Sequence, residues 1–331
     1  MLIHFRLTAP RDLSAPVQQL VLDHDWATNV TVQEGAVRRP PGDLIECDVA
    51  REKAGEVLAA LEEIGMEERG GIVITTPTGT PFAAARALES RAPGHPDDAV
   101  IWESVEAQAQ AGAVPTLSFH IFLVIAVTLA SIAVVTDSSI LVVGAMVVGP
   151  EFSAIAAACA GIVLGQWGLV YRSLRLLAFS FTFAVLAVTL FALVLRATGA
   201  LTVDLVTRPR PNTGFIWHPD KWSIIVALLA GAAGALALAI ARSAVMVGVF
   251  ISVTTVPAAG NLALGIAVWD PGEMVGSLTQ LGANIGCMLV SGSLLLLFVR
   301  TCWPWLAERS ERIFGTHAPT PARGNDRRGV S

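Results

Sequence analysis

Residues 119–299 form a nearly continuous series of apolar segments, and this series limits the possible folds more than any other feature of the chain. A helix needs about 20 apolar residues to cross the hydrocarbon core of a bilayer. Only 15% of all residues are charged, whereas a soluble protein carries about a quarter. The sequence therefore predicts an α-helical multi-pass membrane protein.

The apolar region divides into six predicted spans. Their ranges are 118–136, 139–165, 173–196, 222–241, 243–268 and 276–299. Lys and Arg concentrate in cytoplasmic loops, and the charge bias favours both termini in the cytoplasm and a location in the cell (inner) membrane. The connection 197–221 goes against this bias, because Arg208, Arg210 and Lys221 would lie outside.

Two of the predicted spans are interrupted near their middle. The second is broken at Gly149-Pro150-Glu151, and the fifth at Thr254-Thr255-Val256-Pro257. A proline inside a helix costs about 3 kcal/mol, and a carboxylate at membrane depth costs roughly as much or more. Paired interrupted spans in corresponding positions are typical of transporters built from internal repeats.

A weak internal repeat relates the two interrupted spans at an offset of about 105 residues. It places Thr136–Ile140 beside Ala241–Val245 and Pro150 near Pro257. Two halves of three spans each, with broken helices 2 and 5, would be inverted relative to one another because three is odd. The alternative is coincidental similarity between spans rich in Ala, Leu, Val and Gly.

The first 76 residues predict an α+β ferredoxin-like soluble domain. Strand, helix, strand, strand, helix and strand patterns follow in that order, beginning with Leu2–Thr8 and ending with Ile72–Thr75. This order is the split βαβ unit. Without a basic segment before an apolar run at the N-terminus, we expect the domain to stay in the cytoplasm. Its role, regulation or assembly, follows from fold analogy alone.

Residues 77–117 are predicted to be a linker with a short amphipathic helix, whose Trp102 and Val105 would lie along the membrane surface. The transmembrane domain is predicted to run over 118–300, followed by a polar, disordered tail at 301–331. The four cysteines match no metal motif. Five glycines are expected to let helices pack closely: Gly144, Gly161, Gly231, Gly234 and Gly248.

The run Thr136–Ser138 followed by Val143–Pro150 resembles the signature of the prokaryotic uncharacterised hydrophobic domain family, domain of unknown function 389. Further similarities, over about residues 1–300, are Trp102-Glu103, Ala230–Leu238, Val247-Gly248 leading to Pro257, and Asn284. The resemblance implies the architecture described above and no activity. Glu151-Phe152 replaces the apolar residues usual in the family, so no role for Glu151 follows from it.

The candidate site lies at the two helix breaks. Backbone groups freed there must face protein or a wet cavity, and half-helix N-termini carry positive dipole ends. The candidate solute- or ion-binding residues are Gly149, Pro150, Glu151, Ser153, Thr254, Thr255, Pro257, Asn261 and Asn284. Asp137 and Arg242 are candidate gating charges. The alternatives are structural proline kinks, a capping or paired Glu151, and ordinary interfacial charges.

Two functions remain open at this point. One is a secondary transporter or channel for an unknown small solute or ion, with membrane lipid as surroundings and homo-oligomers as the expected assembly. The other is a membrane-anchored sensor or scaffold whose ferredoxin-like domain binds a ligand or partner. The sequence contains no HExxH or Gly-x-Ser-x-Gly motif, so we expect no enzyme. We expect neither a cofactor nor nucleic-acid binding.

Overall fold

The computed structural model describes residues 2–92, 99–217, 220–240 and 253–302. They fall into two compact units: residues up to Ile101 together with Cys302 form the first, and Trp102–Thr301 the second. Predictions that concern residues 241–252, including Arg242 and Gly248, lie outside the described residues.

The first unit contains a four-stranded antiparallel sheet with the strand order β2-β3-β1-β4. Its strands are β1 (Leu2–Pro10), β2 (Ala27–Arg38), β3 (Pro41–Ala50) and β4 (Gly71–Thr75). Its helices are α1 (Arg11–Asp23), α2 (Ala54–Glu63), α3 (Met66–Arg69) and α4 (Ala83–Arg91). The strands and helices appear in the predicted order; α3 and α4 were not predicted.

The core of this unit follows from alternation along the strands. Phe5 and Leu7 on β1 and Ile45 and Cys47 on β3 are fully buried, and they pack against apolar residues of α1 and α2. Side chains at every second position of a strand share one face. The sheet therefore buries one apolar face under its helices.

We predict that Cys47 resists thiol reagents in the folded protein. Burial raises the pKa of its thiol to about 12, and the thiolate is the reactive form. At pH 8, N-ethylmaleimide should label exposed Cys302 rapidly and Cys47 only after denaturation, as read by peptide mass spectrometry. Labelling of native Cys47 at the rate of Cys302 would contradict the buried position.

The second unit is helical. It contains α5 (Trp102–Gly112), α6 (Leu117–Thr136), α7 (Ser139–Val148), α8 (Glu151–Leu164), α9 (Trp167–Ala197), α10 (Val203–Thr207), α11 (Lys221–Ala239), α12 (Thr255–Val268) and α13 (Pro271–Thr301). Four of these, α6, α9, α11 and α13, are long and apolar enough to cross a membrane. Helices α7 and α8 form a fifth candidate span that bends by 54° at its break.

The predicted count of six spans is not confirmed. Among the described residues there are four or five candidates, and α12 is a shorter apolar helix of 14 residues. The predicted fifth span, 243–268, begins outside the described ranges. What the structure does support is a helical unit of the kind found in membrane proteins, joined to a small N-terminal antiparallel sheet.

Helix boundaries in this unit recur at a constant spacing of 104 residues. Helix α12 begins and ends 104 residues after α8, and α13 does the same relative to α9. The residues that end α8 and α12, Gly165 and Trp269, are both left-handed, with φ of 73° and 62°. Helix α11 likewise begins 104 residues after α6. Equivalent positions in the two stretches therefore have equivalent local structure.

The predicted amphipathic linker helix is α5, and the face that carries Val105 and Ala109 is covered by protein. It packs against α8, where Gly112 lies close to the backbone of Ser153, and Gln166 Nε2 donates to Glu106 Oε1 at 2.6 Å. Val105, expected to face the membrane surface, is 1% exposed. Val105 therefore does not face the membrane surface as expected, because the same apolar stripe fits a neighbouring helix as well as it fits lipid.

Candidate functional site

The two predicted helix breaks meet in space. Glu151 begins α8 and Thr255 begins α12, and the Thr255 hydroxyl donates to Glu151 Oε1 at 2.7 Å. These two residues are 104 positions apart, so they are equivalent under the recurrent spacing. We call α8 and α12 the half-helices, after the predicted breaks at which they begin. Their N-terminal ends, each carrying a partial positive charge, thus lie side by side.

Glu151 is buried, with 8% of its surface exposed. Its second oxygen, Oε2, has no hydrogen-bond partner among the described residues. Gly149 makes room for this oxygen, since a Cβ at position 149 would overlap Oε2 and lie 2.7 Å from Val256 Cγ2. The break is therefore packed around a carboxylate that retains one unsatisfied acceptor.

We predict that Gly149→Ala lowers stability by about 1–3 kcal/mol, the usual cost of overpacking. The added methyl group displaces the Glu151 carboxylate or separates α8 from α12. Gly144→Ala on α7 is the matched control, because nothing lies within 4 Å of the added atom and Ala favours a helix by about 1 kcal/mol over Gly. Thermal unfolding in detergent should give opposite shifts, and equal shifts would refute this packing.

The two prolines occupy different positions in their half-helices. Pro150 precedes α8 as its capping residue, whereas Pro257 is the third residue of α12. At the spacing of 104 residues, Pro150 corresponds to Thr254. Pro257 lies three residues further on, so the predicted pairing of the two prolines is out of register by three residues. Ser153 bonds locally, donating from its hydroxyl to Pro150 O at 2.8 Å.

A second polar cluster surrounds Thr254. Gln280 Nε2 and Asn284 Nδ2, both from α13, donate to Thr254 Oγ1 at 3.0 and 2.9 Å. Gln280 is 1% exposed, and its Oε1 has no partner among the described residues. A cavity of about 250 Å³ opens beside this cluster, with Thr254 and Asn284 in its lining.

A third cluster is centred on a buried ion pair, Arg210 with Glu273. Arg210 Nη1 also donates to Asn261 Oδ1 at 2.7 Å. Asn261 Nδ2 donates to Glu273 Oε2 at 2.6 Å and to Ser277 Oγ at 2.8 Å. All four side chains are buried. Asn261 was predicted as a binding residue; here it joins the two charges and has no free hydrogen-bonding atom.

Glu273, Ser277 and Gln280 were not predicted as site residues. Glu273 falls between the predicted spans 243–268 and 276–299, but the residue lies in the first turn of α13. With Asn284, these residues are spaced by four, three and four positions, which places them on one helix face. That polar stripe is visible in the sequence. Arg210 gave no such signal, because it lies between α10 and α11 in irregular chain.

Asp137 lies apart from these clusters, in the tight connection between α6 and α7. Thr213 Oγ1 donates to its Oδ1 at 2.8 Å, and Asn212 also donates to the carboxylate. Desolvation raises the pKa of Asp137, but the hydrogen bonds from Thr213 and Asn212 lower it further, to below the ordinary value. Arg242, its predicted gating partner, lies outside the described residues.

Two arginines make equivalent contacts with the ends of the half-helices. Arg196 Nη1 donates to Ala267 O at 2.6 Å, and Arg300 Nη1 donates to Val163 O at 2.5 Å. Arg300 is 104 residues after Arg196, and Ala267 is 104 residues after Val163. Each stretch therefore caps the last turn of the half-helix that belongs to the other, as reciprocal contacts do in a two-fold interface.

Close helix packing at glycine is seen at some predicted positions only. A Cβ at Gly231 would lie 2.6 Å from Met288 Cα, and one at Gly234 would overlap the Phe152 ring. Gly161 is in close contact with Val170, whereas Gly144 faces open space. The prediction was therefore wrong for Gly144, which needs no small residue.

Of the comparisons with known proteins, the one with family models gives a match. Residues 146–290 match the family model described as domain of unknown function (DUF389). No curated protein and no solved structure matches the chain. The matched segment includes both half-helices, their polar clusters and the Arg210–Glu273 pair. Residues 146–290 are thus similar to the domain-of-unknown-function family DUF389, as the sequence resemblance indicated.

Proposed function

We propose that the chain is a secondary transporter or channel for a small solute or ion, with its site where the two half-helices meet. The observation that carries this proposal is the hydrogen bond between Thr255 and Glu151 at the starts of α12 and α8. Half-helix N-termini that meet beside buried polar groups are the usual binding-site geometry of such transporters.

The proposed architecture is six spans in two inverted three-span repeats, with both termini in the cytoplasm of the cell. The constant spacing of 104 residues and the reciprocal Arg196 and Arg300 contacts support a two-fold relation. For halves with three spans each, the axis of that relation lies in the membrane plane. Alternating access then corresponds to exchanging the conformations of the two halves.

The cations of the connection 197–221 do not conflict with this orientation, although the connection would lie outside. Arg210 is neutralised by Glu273, and Arg208 donates to Val135 O at 2.7 Å, near the end of α6. Neither acts as a free juxtamembrane cation of the kind that the positive-inside rule counts.

The N-terminal unit is proposed to be a ferredoxin-like regulatory or assembly domain in a homo-oligomer. Its support is the strand order β2-β3-β1-β4 with all neighbours antiparallel, as the split βαβ unit requires. The alternative function, a membrane-anchored sensor or scaffold, is favoured by the separate core of this unit.

Currents from the full-length protein on solid-supported membranes test the transport proposal. Proteoliposomes should respond to at least one of a pH jump, a cation jump or a panel of small amines, amino acids and organic anions. Protein-free liposomes should give no response. Absence of current in every arm, together with specific ligand binding by the full-length protein, would favour the sensor instead.

A further inference from the structure

The cavity beside Thr254 has an acidic and aromatic lining. It measures about 250 Å³, and Asp220, Ser223 and the rings of Phe215 and Trp222 line it together with Thr254 and Asn284. This volume lies just below the range of drug-sized pockets. The ligand that fits is therefore a small molecule.

Of the described residues that line the cavity, Asp220 alone is charged. Ser223 donates to its Oδ1 from both the backbone nitrogen and the hydroxyl, each at 2.7 Å. The Ser223 hydrogen bonds hold the pKa of Asp220 below its ordinary value, so the carboxylate stays ionised. A fixed negative charge without a lining cation favours a positively charged ligand over an anion.

The two aromatic rings point to the same sign of charge. Trp222 is 73% exposed and Phe215 is 46% exposed, so neither ring is covered by its neighbours. Tryptophan is the aromatic residue that attracts a cation most strongly, and the attraction extends to about 6 Å from the ring. Rings beside a carboxylate are a combination suited to an ammonium group.

The remainder of the lining excludes a bare metal ion as the best occupant. Val226, Ala227 and Val253 contribute apolar surface, whereas hard cations require a shell of six or more oxygen ligands. Thr254 and Asn284 add a hydroxyl and an amide group to the lining, which suit a polar end of the ligand. An organic cation satisfies both halves of the lining.

We propose that this cavity binds a small organic ammonium ion, held by Asp220 and the rings of Phe215 and Trp222. The cavity adjoins the proposed transport site, because Thr254 precedes Thr255, which bonds to Glu151. That this ion is also the transported solute rests on the proposed transport function. Binding itself does not depend on transport. Asp220 also caps α11, and the test separates the two roles.

Calorimetric titration of the full-length protein in detergent tests the proposal with four probes: n-butylammonium, 4-aminobutyrate, butyrate and sodium. Butylammonium should bind more tightly than the zwitterion, and butyrate and sodium should not bind. Asp220→Asn should weaken butylammonium about tenfold or more, since a charge-assisted contact is lost, while Asn still caps the helix. Trp222→Leu should weaken it about threefold or more.

Asp204→Asn is the matched control, because Asp204 is an exposed acid on α10 that does not line the cavity; its affinity should equal that of the wild type. Equal affinity in Asp220→Asn, equal binding of butyrate, or no butylammonium binding would overturn the proposal. Currents with other solutes but no ammonium binding would refute this site and leave transport standing. Ammonium binding without any current would support this site and count against the transport proposal.

Discussion

Replacing Glu273 with Gln should destabilise the protein by about 3–5 kcal/mol, the cost of removing one partner from a buried ion pair. The change leaves the Arg210 guanidinium buried without a counter-charge. It also places an amide NH₂ where an oxygen now accepts from Arg210 or from Asn261 Nδ2. Either orientation of the new amide sets a donor against a donor, so reorientation does not relieve the loss.

Thermal unfolding in detergent checks this prediction, with a fall in Tm of about 10 °C for this size of unit. The matched control is Lys221→Met, which removes an exposed cation close in sequence to Arg210 and should change stability by less than about 0.5 kcal/mol. Arg210→Met should be as damaging as Glu273→Gln. The double variant Arg210→Met/Glu273→Leu should recover much of the loss, because an apolar replacement leaves no buried charge.

If the stability loss in the double variant equals the sum of the losses in the two single variants, the two side chains do not act as a pair. The comparison therefore separates an energetic coupling between Arg210 and Glu273 from two unrelated packing defects. A coupled pair would also explain why a cation is tolerated at a buried position between α10 and α11.

The order of helices and strands was predictable wherever the apolar residues follow one regular pattern. Alternation of apolar residues marked β1 and β3, and continuous apolar runs marked α6, α9, α11 and α13. The breaks were found because Gly149-Pro150 and Pro257 interrupt apolar runs. Their register was not, since proline is tolerated throughout the first turn of a helix and so locates its start only to within a few residues.

Contacts between distant segments were beyond prediction from sequence. Nothing in the local sequence around Arg210 indicates that Asn261 and Glu273 surround it, because the three lie in different segments. The Lys and Arg bias treated Arg210 as an exposed loop residue, because its buried partners lie in other segments. The stripe Glu273, Ser277, Gln280 and Asn284 is the exception, since its helical spacing is local information.

Replacing Glu151 with Gln should abolish current in proteoliposomes while leaving the folded protein at least as stable as the wild type. None of the described ion pairs involves Glu151, and an ionised carboxylate without a counter-charge costs several kcal/mol when buried. The half-helix dipoles offset only about 2 kcal/mol of that at best. Glu151 therefore has a strong tendency to carry a proton or a cation, which Gln does not do.

Unfolding temperature and current are measured on the same Glu151→Gln protein. Gln retains an oxygen to accept from Thr255, so unfolding temperature should be unchanged or raised, and Asp204→Asn should behave as wild type in both measurements. A variant that loses current and stability together would make Glu151 a structural residue. Unchanged current in Glu151→Gln would remove this carboxylate from the mechanism. Loss of current at full stability is the result expected of a residue that exchanges a proton or cation during each transport cycle.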